Sequence, residues 1–364
     1  MDRTSSASRT VGLVDLAAQY RSIKPEIDAA VARVLESGSY VTGKEVEAFE
    51  QEFAALCNAD YCAGVSSGTD AIYLALRAHD VVYPDSPVRT YVPSFTFIAT
   101  ASAVLAAGRK LVLCDVYQGS AMLKLGERDP RGGIALPVGI FGQRTGIRYT
   151  HVRTIADYAQ AHGAPLADNI CAAYSFYPTK NLGAIGQAGA VVSDDAEIIQ
   201  IVKQLRNHGE RESIRFEHTF LSGNHRMDEL QAAILRAKLP RLKSWNTRRR
   251  EIASLYHRGF SLLETQDLVE LPHFNESEWH IYPMRVDNRL AFAEHLRKRG
   301  IQTSVRYPVP LHKQPALWDR FEVAEGGYPN SEAWATTSID LPIHEMMSDE
   351  DVECVIERVK EFFK

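Results

Sequence analysis

Apolar residues recur every three to four positions through VDLAAQYRSIKPEIDAAVARVLESG, residues 14–38, and the spacing predicts one amphipathic helix closed by Gly38. KEVEAFEQEFAALCNA (44–59) predicts a second. The pattern then changes. YCAGVSSGTDAIYLALRAHD (61–80) reads as a short strand, a Ser-Ser-Gly-Thr turn and a helix, and RTYVPSFTFIATASAVLAAG (89–108) repeats that plan. KLVLCDV (110–116), GGIALPVGIFG (132–142) and AGAVVSD (188–194) are further apolar runs of strand length. Strands alternating with helices predict an α/β domain around a mainly parallel central sheet flanked by helices.

After about residue 245 the texture differs. RREIASLYHRGFSLL and RLAFAEHLRKRG read as helices, WHIYPMRV and IQTSVRYP as strands, and SDEDVECVIERVKEFF as a terminal helix with Ser348 at its N-cap. These elements predict a smaller α+β domain. The expected division is a disordered tail over 1–11, a large domain over 12–245 and a small C-terminal domain over 246–364.

The chain has 364 residues, enough for two or three domains, and its charged fraction of 24% is ordinary for a globular protein. A net charge of −5 gives no electrostatic reason for nucleic acid or an anionic membrane as partner. Five cysteines in no dense framework fit a reducing compartment. Cys57 and Cys62 match no zinc spacing and read as small buried apolar residues. No run reaches the roughly 18 apolar residues of a membrane span, and the first ten residues lead into no apolar leader segment. The expected location is cytoplasmic.

Three stretches carry candidate chemistry. In VSSGTDAI a strand ends in small residues as a helix begins, and free N–H groups at a helix start suit a phosphate. Phe97 lies just past a strand end, where ligands of open α/β sheets bind; it is either a core residue or a plate for a flat ligand. Lys180, in AAYSFYPTKNLGA, follows a run that reads as a buried strand. A lysine held in a dry pocket loses its proton readily and can attack a carbonyl as the neutral amine; a cap on the strand end is the plain alternative. A Schiff-base lysine, a phosphate turn and an aromatic plate are parts of a pyridoxal phosphate site, which also needs a carboxylate at the pyridine nitrogen.

The ordered series VLESGSYVTGKEVEAFEQEFA, GVSSGTDAIYLALRA, VPSFTFIATASAVLAAG, SFYPTKNLGA, RNHGE, GNHRMDELQAAILRAKL, VRYPVPLHKQPAL and LPIHEMMSDEDV resembles the DegT–StrS family of sugar-nucleotide aminotransferases. The resemblance runs from about residue 12 to the C-terminus and implies the PLP-dependent transferase fold type I, that of aspartate aminotransferase. It implies that Lys180 is the catalytic lysine and carries the proton. Gly68, Thr69 and Ser175 would bind the phosphate of pyridoxal 5'-phosphate, and Phe97 would stack on its ring. Asn224 would reach the phosphate of a neighbouring subunit, which implies a homodimer with shared sites. IADYAQAHGA makes Asp157 the partner of the ring nitrogen and Gln160 the neighbour of the ring hydroxyl. Asp168 is the other candidate, if THVRTIADYAQAHG is a helix and APLAD a strand. Seven residues from Asp168 to Ser175 are too few for a return crossover, which favours Asp157.

The implied reaction moves an amino group from L-glutamate to a nucleotide-linked keto sugar, leaning to a dTDP-3-keto-6-deoxyhexose, in amino-sugar biosynthesis. Arg226, Arg306, Tyr307 and His312 are the candidates for holding the sugar nucleotide. The chain departs from the family pattern in a shortened stretch over about 116–170, in Gly139 for a histidine and in Gln187 for an acidic residue. Sugar dehydratases on this fold carry histidine where Lys180 stands, and a non-catalytic binding protein on the scaffold is the third reading.

Overall fold

The computed structural model describes residues 10–126, 132–145, 152–274 and 276–364. The first expected helix is two: α1 (Leu16–Ser22) and α2 (Lys24–Ser37) break at Ile23, because Pro25 in the first turn of α2 has no N–H to continue the preceding turn. Then come α3 (Lys44–Leu56), β1 (Tyr61–Val65), α4 (Gly68–Val82), β2 (Arg89–Pro93), α5 (Ile98–Ala106), β3 (Lys110–Cys114), β4 (Ile134–Ala135), β5 (Arg153–Asp157), β6 (Cys171–Ser175) and β7 (Gly189–Ser193). Helices α6 (Ala196–Arg206), α7 (Glu229–Lys238) and α8 (Leu242–Thr265) lead out of this layer. The remaining elements are β8 (Tyr282–Arg285), α9 (Arg289–Lys298), β9 (Phe321–Val323), α10 (Pro329–Thr337), β10 (Ser338–Leu341) and α11 (Asp349–Phe362).

The central sheet has the order β1-β7-β6-β5-β4-β2-β3-β9. Every neighbouring pair is parallel except β1–β7 and β7–β6. One face is covered by α4, α5 and α6 through Leu74, Val104 and Val202, the other by α3 and α7 through Phe49, Phe53 and Leu235. A third core, with Tyr256, Phe292, Ile339 and Val355, joins α8, α9 and α11 to the hairpin-like pair β8–β10. The C-terminal part also returns to the large sheet, since β9 pairs with the edge of β3.

Two local expectations are corrected, and one of two open readings is decided. Val11, drawn into the tail, is 3% exposed and bridges Ile301, so the ordered chain begins before it; residues 1–9 lie outside the described residues. IQTSVRYP is no strand: it makes single bridges at Ile301 and Ser304, and Pro308 and Pro310 beyond offer no N–H to extend pairing. RTIAD is the strand β5, not part of a helix. The short connection before it begins with a 3-10 turn at Ile140–Gly142, and residues 146–151 of it are outside the described residues.

Alternation on β6 decides what faces the ligand edge. Tyr174 and Phe176 point into α3, where Phe53 meets both rings edge-on at 5.0 Å. Such pairs add about 0.5–1.5 kcal/mol each beyond burial. Ser175, between them, is turned to the other face. Helix α3 has Gly43 at its N-cap and no local side-chain cap; the buried Glu229 carboxylate accepts from Gly43, Glu45 and Val46 N–H at 2.7, 2.9 and 3.0 Å instead.

Gly139 has a steric reason. A Cβ there would lie 2.7 Å from the Gln143 carbonyl oxygen and 2.9 Å from both Ala161 Cβ and the Tyr158 ring. Gly139→Ala is expected to destabilise the protein by about 1–3 kcal/mol, through overpacking. A thermal melt beside wild type checks this; an unchanged melting temperature would show that the neighbours of Gly139 yield to a Cβ.

Candidate active site

The parallel strands end at one edge, and the loops beyond them enclose a cavity of about 670 Å³. From β1 come Ser67, Gly68 and Thr69, from β2 Thr96 and Phe97, from β5 Asp157 and Gln160, and from β6 Ser175 and Lys180. His280, Arg306 and Tyr307 close it from the C-terminal part.

Lys180 sits in a turn in which its own N–H donates to the Tyr177 carbonyl at 2.9 Å. The next residue pins that turn: buried Asn181 donates to Asn246 Oδ1 at 3.0 Å and to the Glu278 carbonyl at 2.8 Å. The accessible part of Lys180 faces the cavity. Desolvation pushes its ammonium down to about 8, against the opposing pull of Asp157 and with a further push from Arg306.

Asp157 ends β5, buried to 4% exposure, and is held at both oxygens. Oδ2 accepts from Thr100 Oγ1 at 2.9 Å and Oδ1 from the Ala159 N–H at 3.1 Å. Burial raises its pKa, with the two donors and Lys180 opposing. Asp168 is exposed and does not line the cavity.

The phosphate-type corner is built by close approach. A Cβ on Gly68 would lie 2.5 Å from Ser175 Cβ, and one on Gly189 2.3 Å from the Ser67 carbonyl oxygen. Only glycines let the start of α4 come this near β6 and β7. Ser67 caps α4 by accepting from Asp70 N–H at 3.1 Å. Phe97 is 52% exposed, with Tyr307 at 5.6 Å as its ring neighbour, so one face is left for a planar guest. Gln160 donates to Tyr307 Oη at 3.0 Å and accepts from Phe141 N–H at 2.8 Å.

Three expected residues lie elsewhere. His312 is corrected as a cavity residue: Nδ1 meets Ser94 Oγ at 2.7 Å, Nε2 meets Glu332 at 3.1 Å, and the ring stacks on Tyr328 at 4.2 Å. Both nitrogens are spent on structure. Asn224 and Arg226 are also outside this chain's cavity; Arg226 donates to Asn224 Oδ1 at 2.9 Å and Asn207 Oδ1 at 3.1 Å. Sequence reasoning missed Thr100, His162, His280 and Asp340. His162, in the AQAHGA motif, donates from Nε2 to the Ser175 carbonyl at 2.7 Å. Burial drives its pKa down to about 3, so it is a neutral strut. His280, in WHIY, meets Asn181 Oδ1 at 3.1 Å and is held neutral by burial. Among the described residues no group of three His, Cys, Asp or Glu could hold a metal ion, and no helix is long and apolar enough to cross a membrane.

The donor set fits pyridoxal phosphate: a dry lysine amine, a buried carboxylate able to face a ring cation, an aromatic plate and a glycine-walled helix start. Comparison with known proteins agrees. The model of the DegT/DnrJ/EryC1/StrS aminotransferase family matches residues 21–360. A dTDP-3-amino-3,4,6-trideoxy-alpha-D-glucose transaminase of Streptomyces venezuelae is 38% identical, covering 97% of this chain and 96% of the relative. A Saccharopolyspora erythraea protein named for erythromycin biosynthesis sensory transduction, EryC1, is 37% identical over 96% of this chain and 99% of its own. The crystal structure of S. venezuelae DesV in complex with a ketimine intermediate superposes with TM-score 0.87 at 36% identity, covering 97% of this chain and 98% of that one.

Covalent uptake of pyridoxal phosphate by the apoenzyme, followed by absorbance, is expected to quicken as pH rises toward about 8, where Lys180 becomes the neutral amine. Asp157 supports the charged form, so Asp157→Asn lowers the lysine pKa and moves the midpoint to lower pH. A midpoint that stays or rises in the variant contradicts the pairing.

Proposed function

The chain belongs to the DegT/DnrJ/EryC1/StrS family and is a PLP-dependent aminotransferase; from that premise we propose that it transfers an amino group from L-glutamate to a nucleotide-linked keto sugar, a dTDP-3-keto-6-deoxyhexose, in cytoplasmic amino-sugar biosynthesis. The carrying observation is Lys180, desolvated and opposed to Asp157 in the cavity. The sugar class is supported by the S. venezuelae relative's name.

Bound pyridoxal phosphate supplies an aldehyde carbon for amine exchange and a ring that draws electrons from the reacting carbon. The Lys180 amine would hold it covalently, and as a free amine at the reacting carbon Lys180 would accept and return the proton. With its pKa near 8, Lys180 can both accept and return that proton around neutral pH. Asp157 would keep the ring nitrogen protonated, and the bonds from Thr100 and Ala159 fix the orientation of its carboxylate. Phe97 would cover one ring face, Gln160 would lie on the side of the ring hydroxyl, and Gly68, Thr69 and Ser175 would hold the phosphate. Arg306 and Tyr307 lie on the substrate side.

A homodimer completes the site. Asn224 and Arg226 lie outside their own chain's cavity but on a segment that carries Phe216 at 75% and Leu221 at 92% exposure, apolar surface suited to a second copy. There Asn224 would reach the phosphate bound by the second copy, and Arg226 is the candidate on the same segment for holding substrate. The division into a large and a small domain near residue 245 is supported by the core that α8, α9 and α11 build, which Val11 joins from the N-terminal side. A regulatory role is what the name of the S. erythraea relative suggests. The buried lysine–aspartate pair speaks against it, since desolvating both groups costs stability and serves chemistry.

Wild type with pyridoxal phosphate should turn over a dTDP-3-keto-6-deoxyhexose with L-glutamate, and Lys180→Ala should lose at least about 10³-fold in kcat. Cofactor uptake without turnover of any dTDP-keto sugar would refute the substrate class. Mixed after dissociation and reassociation, Lys180→Ala and Asn224→Ala chains should regain up to about a quarter of wild-type activity, because half the dimers carry one intact shared site. No recovery would place Asn224 with its own chain.

A further inference from the structure

A chain of side-chain amides runs behind the lysine turn to the cavity, and the direction of each hydrogen bond in it is fixed. Asn246 Nδ2 donates to the His162 carbonyl at 2.8 Å, so Asn246 Oδ1 is the end that accepts. Asn181 Nδ2 donates to that oxygen at 3.0 Å and to the Glu278 carbonyl at 2.8 Å. Backbone carbonyls only accept, so neither amide can be turned round. Asn181 Oδ1 is therefore an acceptor, and His280 Nδ1, 3.1 Å away, must be the protonated nitrogen of its ring. In a neutral imidazole the other nitrogen is then a bare acceptor. His280 lines the cavity, and its Nε2 is open to that space, with no hydrogen-bond partner among the described residues. Lys180 lines the same cavity, and its amine too has no hydrogen-bond partner among the described residues.

We infer that His280 is a positioning residue whose Nε2 accepts a hydrogen bond from the Lys180 ammonium once that group has taken the proton from the reacting carbon. The inference rests on the transamination reading and deepens it. An ammonium has three donors to place, and the cavity is dry. Other acceptors near it are engaged: the Asp157 carboxylate by Thr100 and Ala159, and Gln160 Oε1 by the Phe141 N–H. His280 offers a lone pair that is held in place from behind and does not compete for the proton. Burial and then the charge of Lys180 keep its ring neutral, with Arg249, Arg306 and His162 acting in the same sense. Burial lowers the Lys180 pKa, Asp157 opposes this and Arg306 adds to it. Both arginines have carboxylates of their own: Arg306 lies 3.3 Å from buried Asp340 on β10, and Arg249 lies 2.8 Å from buried Glu345. A hydrogen bond to the charged form raises the pKa of an amine, so His280 works in the same sense as Asp157.

Two substitutions separate the ring nitrogens. His280→Asn keeps a donor where Nδ1 meets Asn181 and removes the acceptor at Nε2. His280→Gln puts an amide oxygen near the position of Nε2 and gives up that donor. The measurement is the pH midpoint of pyridoxal phosphate uptake by the apoenzyme, followed by absorbance, with kcat beside it. His280→Asn should lower the midpoint by about one pH unit, the worth of a hydrogen bond to a charged group, and kcat by about tenfold. His280→Gln should stay near wild type in both. In nitrogen NMR of the apoprotein with isotope-labelled histidine, the ring signals that His280→Gln removes should be those of the tautomer protonated at Nδ1. The tautomer protonated at Nε2 overturns the inference. So does the reverse order of the two variants, or an equal loss in both, which would leave the tie to Asn181 as the whole role of His280. An unchanged midpoint in His280→Asn with a raised KM for the keto sugar also overturns it, and assigns Nε2 to a substrate hydroxyl. A wild type that takes up no cofactor refutes the transamination reading instead, and the tautomer, read without cofactor, sets that failure apart.

Discussion

The site depends on one register: β5 and β6 run parallel, with Asp157 opposite Ala173, and both end at the same sheet edge. That pairing leaves a carboxylate at the end of one strand and, past the end of the next, a turn that presents Lys180. Neither group has water enough to be comfortable. Burial lowers the pKa of the lysine and raises that of the aspartate, and each partly offsets the other's cost. A cofactor with an electrophilic carbon at one end and a basic ring nitrogen at the other suits both groups.

The scaffold spends its tightest packing on holding that edge. Glycines at 68 and 189 let α4 approach β6 and β7 to distances no side chain would allow. The aromatic contacts of Phe53 with Tyr174 and Phe176 fix β6 from behind, and His162 ties the Ser175 carbonyl to the loop after β5. Asn181 ties the lysine turn to α8 and to the segment before β8. Motion in the C-terminal part would therefore be felt at Lys180, and Arg306, Tyr307 and His280 come from that same part.

The departures from the family pattern have unequal weight. Gly139 is required where it stands, because Ala161, Tyr158 and Gln143 occupy the space a side chain needs. Gln187 lines the cavity and is exposed, so no packing in the core depends on it.

Much of this was written locally. Strand–turn–helix alternation, the capping box at Ser348, and the motifs around Gly68, Phe97 and Lys180 are short-range features, set by periodicity and turn chemistry, and they appear where the pattern puts them. The sequence alone also favoured Asp157 over Asp168, since chain length limits what a crossover can span. What it could not determine was set by contacts between distant residues. The cap of α3 comes from Glu229, far along the chain, and His312 looks like a ligand until Ser94, Glu332 and Tyr328 enclose it. Asp340 carries no local signal at all. Its meaning arises only when β10 folds behind Arg306, because burial and charge pairing are properties of the packed chain and not of the order of its residues.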